Sequence, residues 1–95
     1  MSLTVEKPSA TTSALDTGRW MTVIFNNEIT PYDAVIAVLI RATGCDLREA
    51  ATETWEAHNF GKAPVHFADQ IECERVAQII SAIGVQTHVS PEWSD

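Results

Sequence analysis

The chain has 95 residues, 45% of them apolar, and a formal net charge of −7. One small domain is expected, able to form a core but only marginally stable without good patterning and caps. Of the 13 acidic and 6 basic residues, Glu6, Asp16, Lys7 and Arg19 cancel, so the whole excess falls in 20–95. That balance repels phosphate backbones, which argues against nucleic acid. It suits a protonated amine or a basic protein face, or simply a well-solvated surface.

Residues 1–19 are rich in Ser, Thr, Ala and Pro and lack periodicity, so they read as a flexible N-terminal tail ahead of a domain over 20–95. The opening Met1–Thr17 has no basic leader and no apolar run, and no stretch approaches a membrane span. A cytoplasmic protein with no membrane partner is expected, with Cys45 and Cys73 reduced and packed rather than reactive.

Trp20–Phe25 is β-branched and aromatic and predicts a strand buried on both faces towards its end, stopped by Asn26-Asn27-Glu28. Thr30-Pro31-Tyr32-Asp33 reads as a helix start, with Thr30 as the cap. The run Ala34–Ala42 is apolar almost all round, predicting a central helix that Gly44 ends. Asp46 and Glu49 predict a second capping box, and a helix through Trp55 and Ala57 to His58. Ala63–Phe67 reads as a short strand, at an edge because of Pro64. Asp69 and Glu72 open a third helix with Ile71, Val76, Ile79, Ile80 and Ile83 on its apolar face, and Gly84 terminates it. Val85, Thr87 and Val89 alternate with polar residues as in a half-exposed strand. The order β-α-α-β-α-β predicts an α+β sandwich, three helices on one face of a three-stranded antiparallel sheet.

No nucleophile elbow, phosphate-cradling loop or zinc-protease motif is present. His66 and His88 on neighbouring strands would make a two-histidine metal site, but no third ligand is near in sequence, so no metal or other cofactor is expected. Asn26, Asn27, Glu28 and His58 are the more interesting group. Where the loop after the first strand meets the end of the second helix, they offer amide oxygens, a carboxylate and an imidazole. That set suits an ammonium group or acid–base chemistry. The simpler alternative is a polar loop and a histidine placed against a helix C-terminus.

Two segments carry a family resemblance. Val23-Ile24-Phe25-Asn26-Asn27-Glu28-Ile29-Thr30-Pro31-Tyr32 resembles the opening of the ClpS adaptor family, where a hydrophobic strand runs into Asn-Asp-Asp (or Asp-Glu)-x-Thr-Pro. His58-Asn59-Phe60-Gly61-Lys62-Ala63 resembles that family's second signature, a His followed three residues later by Gly-Lys-Ala, and Phe67–Val76 also fits. The match spans about 20–90.

The resemblance implies an adaptor, not an enzyme. It would bind substrates whose first residue is bulky and hydrophobic, and hand them to a Clp-type AAA+ unfoldase, most simply as a monomer. It gives Asn26, Asn27, Glu28, Thr30 and His58 to the free substrate N-terminus and places Tyr32, Val35, Thr54, Ala57 and Thr87 around the side-chain pocket. Gln70, Glu74 and Arg75 fall on the face that meets the unfoldase. Asn27 stands where an acid is usual, which removes a negative charge. Thr54, Ala57 and Thr87 replace larger aliphatic residues, which implies a wider and more polar pocket, while Tyr32 at the rim would narrow it. The rival reading is a protein–protein docking module on the same fold that no longer reads N-termini. A small enzyme using His58 with Glu28 ranks below both.

Overall fold

A computed structural model of the chain describes residues 19–92. The tail expected over 1–19 therefore lies outside the described residues except for Arg19. The elements follow as β1 (Trp20–Phe25), α1 (Tyr32–Thr43), α2 (Leu47–Phe60), β2 (Lys62–Ala68), α3 (Gln70–Ser81) and β3 (Thr87–Pro91). They build the expected α+β sandwich. The sheet order is β2-β1-β3, with both pairings antiparallel. Hydrogen-bonded on both edges, β1 buries Thr22, Val23 and Ile24 in succession. Thr22 is tolerated there because its hydroxyl donates to the Cys73 carbonyl at 2.8 Å, tying β1 to α3. Pro64 sits on edge strand β2, beside a bulge that breaks the register between Thr22 and Val23.

Helix α1 packs against both α2 and α3, whose backbones do not approach each other among the described residues. Its buried stripe is Val35, Val38, Leu39 and Ala42. The predicted caps hold for two helices: Asp46 accepts the Glu49 N–H and Asp69 accepts the Glu72 N–H, each at 2.8 Å. At α1 the expectation fails. Pro31 is the N-cap residue and no side chain caps the helix. The Thr30 and Ile29 N–H groups turn back instead to the Asn27 side-chain oxygen, at 3.0 and 2.6 Å. This Asx-type loop sets the chain direction before the helix begins. Gly44 and Gly61 close α1 and α2 at φ +78° and +93°, where a side chain would be strained.

Two further expectations are corrected. Ile71 is 82% exposed rather than part of the core face of α3. That face is Cys73, Val76, Ala77 and Ile80, and Ile71 lies about half a turn round the helix from Ile80. The two sheet histidines are not on neighbouring strands: His66 pairs with Thr22 and His88 with Val23, on opposite sides of β1. Thr22 and Val23 alternate in direction, so the imidazoles stand at opposite faces. Among the described residues no cluster of three His, Cys, Asp or Glu side chains is placed to hold a metal.

Candidate functional site

Helix α2 faces the sheet with Ala50, Thr54 and Ala57. These small side chains leave a recess where a larger aliphatic residue would fill space. Its walls are Ile24 and Phe25 at the end of β1, Val35 on α1, Thr54 and Ala57 on α2, and Val85 before β3. Asn26, Asn27, Thr30, Tyr32 and His58 stand around the mouth. The cavity measures about 30 Å³, enough for a water or two, whereas benzene occupies a cavity of about 150 Å³. An aromatic side chain enters only if the recess widens. Tyr32 stands at the rim, its ring meeting the His58 imidazole edge-on, with centroids 6.1 Å apart at 78°.

The walls are less polar than Thr54 suggests in the sequence. Its hydroxyl donates to the Ala50 carbonyl within α2 at 2.8 Å, so the polar atom is already paired. The segment leading into β3 contributes Val85, whereas Thr87 on β3 does not line the recess and pairs across the sheet with Ile24. Ile24, Phe25 and Val85 were not singled out from the sequence. The available signals were the apolar residues next to Asn26 and the one after Gly84.

At the mouth the loop is held in two places. The Asn26 N–H donates to the Gly61 carbonyl at 2.9 Å, bringing the loop to the end of α2 that carries His58. Asn27 anchors the other side. Its amide donates to the Gly84 carbonyl at 2.8 Å, while its oxygen accepts from Ile29 and Thr30. A carboxylate could not donate to that carbonyl, which gives the amide at this position a physical reason. The Asn27 oxygen is therefore engaged within the protein. Asn26 is different: its amide nitrogen donates to the Glu28 carboxylate at 3.3 Å, and its oxygen has no partner among the described residues; Asn26 and His58 line the same recess. Glu28 touches the site through Asn26 and does not line the recess.

The three α3 candidates divide. Gln70 and Glu74 are exposed and bonded to each other at 3.1 Å. Arg75 grips Glu72 with both arms, at 2.9 and 2.7 Å, and donates to the Ala42 carbonyl at 3.1 Å, clamping α3 to the end of α1. His66 approaches the same carboxylate at 3.2 Å. The Arg75 hydrogen bonds hold the Glu72 carboxyl down at about 2, with His66 adding a smaller pull, and raise the Arg75 pKa.

The family model described as ATP-dependent Clp protease adaptor protein ClpS matches residues 16–89. The chain belongs to the ClpS family, a family of adaptors rather than enzymes. Among solved structures, Agrobacterium tumefaciens ClpS2 bound to L-phenylalaninamide matches with a TM-score of 0.76 at 20% identity. The match covers 81% of this chain and all of that one. At that identity the likeness establishes the shared fold. No curated protein sequence matches.

Proposed function

We propose that the protein binds polypeptide N-termini and passes them to a Clp AAA+ unfoldase. The first side chain enters the recess, and the protonated α-amine sits between the Asn26 oxygen and His58, with Glu28 behind Asn26. The observation that carries this reading is a recess with apolar walls that is lined as well by the Asn26 amide and the His58 imidazole. L-phenylalaninamide, the ligand of the ClpS2 structure, has the same two features, an apolar side chain and a free amine. A docking module would be expected to present a flat surface here, so the recess favours N-terminal recognition over that alternative.

Each half contributes comparably. Hydrogen bonds to a charged group are worth roughly 1.5–3 kcal/mol, and burial of a large apolar side chain about the same. After the cost of association this is at best micromolar recognition, suited to a partner that must release its cargo. Docking on the unfoldase falls to the exposed Gln70–Glu74 side of α3, while Arg75 supports the helix from behind.

Fluorescence anisotropy with short labelled peptides differing only at the first residue tests the reading. Free Leu and Phe N-termini bind and their acetylated forms do not; equal affinity for both forms overturns it. With Tyr32 across the mouth the ranking is Leu, Phe, Trp, and Tyr32→Ala reduces the spread.

A further inference from the structure

The recess and its mouth account for one residue of a bound chain. Next to them α2 carries two large apolar side chains that the core does not use. Trp55 is 51% exposed and Phe60 70%, and their rings meet edge to face, with centroids 5.6 Å apart at 89°. Going round α2 away from the recess, the order is Thr54, His58, Trp55, in steps of about 40–60°. Trp55 and His58 are also i,i+3 neighbours, with Cβ atoms about 5–6 Å apart. Phe60 adjoins Gly61, whose carbonyl receives the Asn26 N–H. Trp55 thus borders His58 on α2, and the Phe60 ring packs against Trp55 on the side away from His58.

We propose that Trp55 and Phe60 form a second subsite, taking an apolar side chain at the position after the N-terminal residue of the bound polypeptide. The inference rests on the reading of N-terminal recognition above. A chain whose amine lies between Asn26 and His58 leads its next residue out past His58, where Trp55 stands. The platform is set before binding: each ring holds the other, and the Asn59 amide donates to the Trp55 carbonyl at 2.8 Å, firming the last turn. Little side-chain freedom remains to be lost when a ligand covers it. Glu56, adjacent to Trp55 in sequence, and Glu28, bonded to Asn26, give the surroundings negative charge. An acidic second residue is therefore rejected and a neutral apolar one favoured.

The test uses the full chain and free-amine peptides with Phe first and Leu, Ser or Asp second, read by anisotropy. Leu at the second position binds about three- to tenfold more tightly than Ser, and Asp binds more weakly than Ser. In Trp55→Ala and Phe60→Ser the Leu-over-Ser advantage falls to nearly one, while the loss on acetylation persists. Both side chains are exposed, so thermal melts of the variants should match the parent. A wild-type affinity indifferent to the second residue, with free-amine dependence intact, overturns the second subsite and leaves the first reading standing. An unchanged Leu-over-Ser ratio in both variants does the same. Absence of binding by every free-amine peptide overturns both.

Discussion

Two polar clusters in this small protein look alike in composition and differ in what they leave open. At the start of α3, Glu72 is taken up by Arg75 and His66, and Arg75 also by the Ala42 carbonyl. At the recess mouth, the Asn26 oxygen and His58 face an opening with only a glancing contact from Tyr32. The closed cluster joins two helices; the open one leaves an amide oxygen and an imidazole without hydrogen-bond partners among the described residues. A residue's chemistry says what it can bind, and its existing partners decide whether it is free to do so.

The sharpest way to break this contrast is His58→Ala. It should weaken binding of a free-amine Phe peptide by roughly 10- to 100-fold, the loss of one hydrogen bond to a charged group. Because His58 is exposed, the melting temperature should hardly change. Wild-type affinity in that variant would remove the amine site.

Asn27→Asp should act in the opposite sense. It loses the donor to the Gly84 carbonyl and sets a carboxylate against it, so stability in urea should fall by about 1–2 kcal/mol. A stability equal to the parent would show that Asn27 does not anchor the loop.

A third group, on the far flank of α2, tests the cost of a polar atom with no partner. Glu53 is half-buried, and one of its carboxylate oxygens has no hydrogen-bond partner. Burial first, then Glu49 and Glu56, push its carboxyl up to about 8. The folded value is raised, so the contribution to stability is complete below the ordinary 4.5 and is lost as pH rises through about 8. Glu53→Gln should therefore stabilise the protein above pH 8 by about 1 kcal/mol, a figure discounted for solvent screening. Denaturant melts at pH 5 and pH 9 check it, the difference vanishing at the lower pH.

Smallest at neutral pH is Arg75→Met, because the Arg75–Glu72 pair is solvent-exposed. Its effect belongs to acid. Glu72 is held at about 2, so its pairing stabilises the fold above the ordinary carboxylate value and is lost as pH falls through about 2. The variant should begin to unfold at a higher pH on acid titration, with peptide affinity at neutral pH unchanged. A loss of affinity instead would assign Arg75 to the site.

Much of this architecture was legible in the sequence because its signals are local. The Asp46 and Asp69 caps, the glycines closing α1 and α2, and the β-branched run of β1 each act within a few residues, and the two motifs around Asn26 and His58 were visible as patterns. What escaped depended on distant partners. Thr30 looked like a cap until the turn placed Pro31 at the N-cap position; Asn27 looked like an acceptor for a ligand until its oxygen took the Ile29 and Thr30 N–H groups and its amide the Gly84 carbonyl; Thr54 looked polar until its hydroxyl turned to Ala50. His66 and His88 were separated by a strand order that no spacing reveals, and Ile71 faced outward because its position relative to the buried stripe of α3 is a property of packing. The sequence by itself determined which elements form and which chemistry they carry. Only the tertiary structure decided which of those groups are satisfied and which face an opening, because a hydrogen bond between residues far apart in the chain exists only once the chain has folded around it.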